Sequence, residues 1–332
     1  MSVAMSRRRF ITLTAAAVGL PLLLKVGGAQ ARPVRWEGTA LGAPASIQLF
    51  HHDEAQARAA IAAGLEELKR LEAIFSVYRA DSAISTLNRN GVLENAPADF
   101  TAMLARALSL AQISEGVYDP TVQPLWQAYF RHFTATNPDP AGPAAADIDA
   151  ARALVDWRAV ELNAERRRVS FARPGMGLTL NSGAQGYITD RVTDVLRAHG
   201  FDRMLVDMGE PRALSAKPDG SAWLIGIANP ADPTRTVTTL EVVDQCVSTS
   251  GGYGTLFDQA GQFTHLLDTR TGRTAPALLG VSVVAGTGAI ADGLSTAMLM
   301  APVARRQAIL QAAGGLKAIY VTPDGIAATV TA

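Results

Sequence analysis

From residue 201 onward the chain reads as one strand after another: MLVDM, WLIGIA, VTTLEVV, QFTHLLD, VSVVA and AIYVT. Helical periodicity enters only between the last two, at about 289–300 and 303–313. A doubly wound parallel sheet needs a helix between successive strands, so this order favours an α+β fold rich in antiparallel pairs. No GxGxxG follows a strand, which argues against a Rossmann dinucleotide site.

The N-terminal half supplies the helices. Ile61, Leu65, Leu68, Leu71 and Ile74 recur three and four apart behind Asp53, a suitable N-cap, and predict a long amphipathic helix ending near Phe75. A second helix is expected from about Pro97 to Ser114, closed by Gly116. AVELN and RVSFA predict a hairpin around Ala164–Arg167, and a further helix runs from about Gln185 to His199 before Gly200. The Pro- and Ala-rich stretch 134–147 reads as a surface loop.

Residues 1–31 have the layout of a cleavable export signal: Arg7-Arg8-Arg9, an apolar run from Phe10 to Leu24, then Ala29-Gln30-Ala31. Ser6-Arg7-Arg8-Arg9-Phe10-Ile11 resembles the twin-arginine type, which implies a periplasmic mature protein. The alternative is a membrane anchor, but the run of about 15 residues is shorter than the ~20 that span a bilayer. No other segment has transmembrane length, so residues 32–332 are expected to fold as one globular unit. A formal net charge of zero gives no basic face for nucleic acid. Cys246 is the only cysteine, which excludes an intramolecular disulfide and reads as a buried structural thiol.

Three stretches carry candidate chemistry. ADGLSTAML begins a helix with Asp292 and Thr296 four apart, hence on one face, offering two hard oxygens near a helix start whose free N–H groups suit phosphate. LNSGAQGY puts small residues before a helix, where backbone can approach a ligand and a freed carbonyl can bind metal. FTHLLDTRTG alternates as a strand, with Phe263, His265 and Leu267 on one face and Leu266 and Asp268 on the other. Each has a plain structural reading: an early-helix acid, a tight strand-to-helix turn, and a core histidine. TSGGY (249–253) reads as a flexible turn, and YDPTVQPLW (118–126) as a rigid pocket wall. A zinc site and a GxSxG hydrolase elbow are absent from the sequence.

Taken in order, the stretches resemble one family, the flavin transferases of the ApbE type, which move FMN from FAD onto a protein. The resemblance rests on FSVYRADSAISTLNRNG, GVYDPTVQPL, LNSGAQGY, VSTSGGY, THLLDTRTG and ADGLSTA, and spans almost the whole chain after residue 31. It implies a T-fold-like, two-lobed α+β architecture with flanking helices and an FAD cleft between the lobes. It also implies Mg2+ on Asp292, Thr296 and the Ser182 carbonyl. FAD contacts are implied at Leu41, Tyr78, Val117, Tyr118, Asp119, Thr179, Gln185 and Leu266. His265 would take the proton of an acceptor Thr or Ser hydroxyl, with Asp268 orienting it or acting itself, and AMP would leave.

The sequence departs from the family at two charged positions. The family's Asp-Leu-Gly-Gly-Ile-Ala-Lys-Gly is here Thr179-Leu-Asn-Ser-Gly-Ala-Gln185-Gly, so an acid and a lysine are both replaced. Thr269 stands where the family has proline. The Leu-Asn-x-x-Ala-Gln-Gly-Tyr form resembles a NosX-like subgroup linked to nitrous-oxide reductase maturation, whose acceptor is a NosR-like membrane flavoprotein. The competing functions are a periplasmic FAD carrier without transfer, favoured by the replaced acid and lysine, and an FAD pyrophosphatase using water as nucleophile.

Overall fold

A computed structural model describes residues 32–332; the export-signal reading of 1–31 lies outside the described residues. The chain opens with an antiparallel hairpin, β1 (Arg32–Ala40) and β2 (Ala43–His51), turned at Leu41-Gly42, both at positive φ. Ala45, Ile47 and Leu49 alternate inward along β2, a period-two signal that marks a half-buried strand.

Helix α1 (Glu54–Phe75) follows, with Asp53 Oδ1 accepting from the Gln56 amide as its N-cap. Its buried stripe includes Ile61, Leu68, Leu71 and Ile74, as the periodicity predicts. Residues 76–180 form a second segment, packed into the same core as α1 and the later helices Asn181–Ala198 and Gly288–Met300. It holds α2 (Ala83–Asn90), β3 (Val92–Leu93), α3 (Ala98–Ile113), α4 (Gln123–Thr134), α5 (Ala145–Arg152), β4 (Val160–Asn163) and β5 (Arg168–Phe171). The three strands form a sheet in the order β3-β5-β4. Gly116, at φ 79°, ends α3 by donating to the Ala111 carbonyl. The expected loop at 134–147 enters α5 at Ala145, and α2 is a helix that short polar sequence did not reveal.

Helix α6 (Asn181–Ala198) returns the chain to the main body, where β6 (Met204–Asp207), β7 (Pro211–Leu214), β8 (Trp223–Asn229), β9 (Asp232–Val242) and β10 (Cys246–Gly251) succeed one another. After a long irregular segment come β11 (Gly280–Ala285), α7 (Gly288–Met300), α8 (Arg306–Ala312), β12 (Gly315–Thr322) and β13 (Gly325–Thr331). Eight strands form one sheet, β1-β2-β6-β7-β10-β11-β12-β13, with every pair antiparallel. The helices bury one face of it; the β8–β9 ribbon covers part of the other through Trp223, Ile225, Ile227 and Val242. Every residue of β11 is accordingly buried. This is the expected α+β class.

One expected strand is not there. QFTHLLD makes two isolated bridges, Leu256↔Thr264 and Leu267↔Thr274, and no ladder. Leu266 and Leu267 are both buried, so the expected alternation fails. The segment has no continuous neighbour to ladder with: its amides go to scattered carbonyls, His265 N to Thr255 O and Asp268 N to Arg273 O. No helix among the described residues is long and apolar enough to cross a membrane.

Helices α6 and α7 cross at two glycines. A Cβ on Gly186 would lie 2.1 Å from the Gly288 carbonyl oxygen, and one on Gly288 would lie 2.3 Å from that of Gly186. Backbone cannot yield as a side-chain tip can. Gly186→Ala is therefore expected to lower stability by about 1–3 kcal/mol, read as a lower urea midpoint; an unchanged midpoint would show that the helices separate freely.

Candidate active site

Helix α6 is broken where it matters. Ser182 (φ −82°, ψ 77°) and Gly183 (φ 141°, ψ −27°) leave helical geometry, and Gly183 tolerates the positive φ that a side chain would resist. In an unbroken helix the Gly186 amide would bond the Ser182 carbonyl. Here it donates to Asp292 Oδ2 at 3.0 Å, while the Ser182 carbonyl receives the Tyr118 hydroxyl, at 3.1 Å. The kink thus frees a backbone oxygen and hands an amide to the carboxylate beside it. The Gly183 and Gln185 amides also face Asp292.

Asp292 is 4% exposed. Burial pushes its carboxyl up to about 7, against the opposing pull of those amides. Thr296 stands one turn later on the same face, its Oγ1 2.9 Å from Ser250 Oγ on β10. The helix starts at Gly288, a turn before Asp292, and its first amides are not free as the sequence suggested. Asp190 of α6 takes the amides of Gly288 and Ala289 at 2.8 and 3.0 Å and pairs with Arg212 of β7. This end of α7 is a structural joint between α6 and β7.

Around these oxygens the cleft has two chambers. The larger, about 590 Å³, runs past Leu41, Gln185, Gly209, Glu210, Ser250 and Asp292. The smaller, about 130 Å³, is walled by Val117, Tyr118, Asp119, Gln123, Trp126 and Thr179. Tyr78, Asn181, Ser182, His265, Leu266 and Thr296 line both and form the junction. Tyr78 is 70% exposed, an aromatic ring at the rim. The Asp119 carboxylate accepts from the Thr121 amide and hydroxyl and from the Trp157 amide, which fix it in the chamber wall. Gln185 lies across Gly209, whose Cβ would come within 2.4 Å of the Gln185 Nε2 atom.

His265 Nδ1 is 3.0 Å from the Thr255 carbonyl. A carbonyl only accepts, so Nδ1 carries the proton and Nε2 presents a lone pair. Burial lowers the His265 pKa, with the Thr255 bond opposing, which keeps the ring neutral. Asp268 lies elsewhere: it lines neither chamber and holds Arg270 through both oxygens, at 3.0 and 2.8 Å. Desolvation alone would raise its pKa, but the combined bonds and charge of Arg270 outweigh that and lower it. The turn after Leu267 sends it away from His265.

Among the described residues no group of three or more His, Cys, Asp or Glu side chains is laid out to hold a metal. The donor set on offer is one carboxylate, one hydroxyl and one carbonyl, all hard oxygen. That fits a Mg2+-type ion, which keeps positions for water and phosphate.

The sequence reading missed Glu210, which lines the larger chamber and is 7% exposed. Burial raises its pKa, and the nearby Asp292 raises it further. An acid directly after Gly209 and a fully buried strand was the available signal. Asp207, at the end of that strand, is pushed up to about 7 by burial, with the Gly209 amide opposing. A free carboxyl ionises near 3.9, so the Asp207 contribution to stability is whole below about pH 4 and is lost as pH rises through about 7. Asp207→Asn, which keeps an oxygen for Gly209, is expected to flatten that part of the stability–pH curve. Denaturant midpoints between pH 4 and 8 check it; an unchanged slope rejects the assignment.

Comparison with known proteins places this architecture. The ApbE family model matches residues 41–320. A Treponema pallidum protein named FAD:protein FMN transferase is 30% identical over 292 residues, covering 80% of this chain and 79% of the relative. One of the same name from Haemophilus influenzae is 31% identical over 247 residues, 70% of each. The apo crystal structure of Pseudomonas stutzeri flavinyl transferase ApbE aligns with a TM-score of 0.75 at 29% identity, covering 91% of this chain and 95% of that one. The Vibrio cholerae flavin transferase ApbE aligns with a TM-score of 0.77 at 24% identity, over 91% and 97% of the two chains, a likeness of fold.

Proposed function

Because this chain belongs to the ApbE family and is a transferase, we propose that it moves FMN from FAD to a Thr or Ser hydroxyl of an acceptor protein, with Mg2+, releasing AMP. The observation that carries this reading is the junction between the chambers. Ser182, Thr296 and His265 line both chambers, with Asp292 beside them in the larger. A dinucleotide has that same plan: two bulky halves joined by a diphosphate. The smaller chamber suits the adenosine half and the larger the isoalloxazine, so the diphosphate lies at the oxygens.

Asp292, Thr296 and the Ser182 carbonyl would hold the divalent cation, whose contribution is to neutralise charge on the diphosphate. His265 Nε2 accepts the proton of the incoming hydroxyl, which is a poor nucleophile without a base in reach. The hydroxyl oxygen bonds to the FMN-side phosphorus, the bond to the bridging oxygen breaks, and AMP departs with that oxygen. Tyr118 donates to the Ser182 carbonyl and keeps it turned toward the junction.

The acceptor we propose is periplasmic or membrane-bound. Support comes from the twin-arginine-like leader at 1–31, and from the Leu-Asn-x-x-Ala-Gln-Gly-Tyr form, which favours a NosR-like flavoprotein.

The test mixes the protein with FAD, Mg2+ and a candidate acceptor domain and weighs the products. An FMN-sized gain on the acceptor is expected; free FMN with AMP would indicate hydrolysis, and intact bound FAD would indicate carriage. His265→Ala is expected to abolish transfer while FAD still binds by fluorescence quenching; normal transfer by that variant rejects the base. Since the His265 pKa lies below 6.5, the wild-type rate should already be level above that pH. A rate still climbing through pH 8 points to another base.

A further inference from the structure

We propose that Ser250 and Ser295 are positioning residues that fix the direction of the Thr296 hydroxyl proton, so that Thr296 turns only lone pairs to the cleft and accepts a cation, not a phosphate oxygen. This rests on the reading of Thr296 as a cation ligand given above.

Each hydroxyl carries a single proton and two acceptor positions. Ser295 Oγ lies 2.9 Å from the Asp292 carbonyl oxygen. The carbonyl has no proton to give, so that of Ser295 is committed there. Ser250 Oγ is 2.7 Å from Ser295 Oγ and must then be the donor in that pair. With its own proton spent, Ser250 can only accept from Thr296 Oγ1, 2.9 Å away. The Thr296 proton therefore points into β10, away from the junction. Ser248 Oγ, 3.4 Å from Ser295 Oγ, sits at the remaining side of the same chain. Ser248 and Ser295 are buried, at 1% and 0% exposure, so water does not compete at that end of the chain; Ser250 and Thr296 are half-buried and line the larger chamber.

The polarity has a chemical consequence. A hydroxyl that ligates a hard cation offers a lone pair and must place its proton on another acceptor. One that serves a phosphate oxygen does the reverse. A threonine rotor with no partner would choose on binding and lose that freedom then. Here the choice is made beforehand by a carbonyl three bonds away, on the same helix that carries Asp292. Both serines lie in stretches the sequence singles out, Ser250 in VSTSGGY and Ser295 in ADGLSTA, but the sequence attaches no role to either.

The decisive variant is Ser295→Ala, since Ser295 makes no bond to Thr296. Losing it leaves the Ser250 proton free to turn toward Thr296 and reverse the chain. Mg2+ is titrated calorimetrically into the FAD-loaded full-length protein for wild type, Ser295→Ala, Ser250→Ala and Ser250→Thr. Cation-free FAD affinity and melting temperature are followed alongside for Ser295→Ala. The apparent Mg2+ dissociation constant is expected to rise roughly tenfold or more in both alanine variants, and to return most of the way in Ser250→Thr. Cation-free FAD affinity of Ser295→Ala should stay within about twofold of wild type. Wild-type Mg2+ affinity in both alanine variants overturns the relay and leaves the ligand reading standing. Parallel losses of Mg2+ and cation-free FAD affinity in Ser295→Ala also overturn it, as a general packing defect. If Ser295→Ala does not fold, Ser250→Ala against Ser250→Thr decides by the same criterion. A wild type that ignores Mg2+ overturns both readings together.

Discussion

Two helices meet here so closely that neither has room for a side chain at the crossing. Gly186 and Gly288 bring α6 and α7 into backbone contact, and the amide of Gly186 is spent on Asp292. From that one bond the rest follows. The Ser182 carbonyl loses its helical partner, Asp292 is held from its far side, and both oxygens are fixed on elements of the main body. Asp190 repeats the device one turn further on, joining α6 to the start of α7 and to Arg212. A site assembled from three oxygens tolerates little drift, and here each oxygen belongs to a crossing that packing already fixes.

Burial of acids is the electrostatic side of the same arrangement. Glu210 stands near both Asp292 and Asp207, all three are buried, and burial is the first cause of each raised pKa. Arg212, the buried cation nearby, is already paired with Asp190. Arg79, on the wall of the larger chamber, is paired with Asp81, and among the described residues no arginine or lysine bridges to Glu210 or Asp292.

How far the sequence could be read depended on the kind of signal. Asp53 and Gly116 bounded α1 and α3 because caps act within one turn of the backbone. The strand succession gave the α+β class because connection order limits topology. Ala45, Ile47 and Leu49 announced β2 by alternation that went unread. FTHLLD was misread as a strand because its partners, Thr255 and Arg273, are set by turns that periodicity does not encode. At the site, Asp292 and Thr296 were visible as an i, i+4 pair, and the cluster of small residues at 181–186 marked the kink without showing its direction. Asp268 looked like a partner for His265 by proximity in sequence, whereas Arg270, two residues on, claims it. The hydroxyl chain through Ser250 and Ser295 was out of reach, since proton direction depends on atoms brought together from β10 and α7.

The way residues 76–180 are attached carries a mechanical implication. Strands β2 and β6 are neighbours in the large sheet, and α1 and α6 pack on each other, with the Phe75 and Tyr187 rings meeting edge to face at 5.6 Å. Residues 76–180 thus leave and re-enter the main body at nearly one place, like an insert between two adjacent anchor points. Because Tyr118 of that segment donates to the Ser182 carbonyl, a shift of the segment is transmitted directly to the oxygens on α6 and α7.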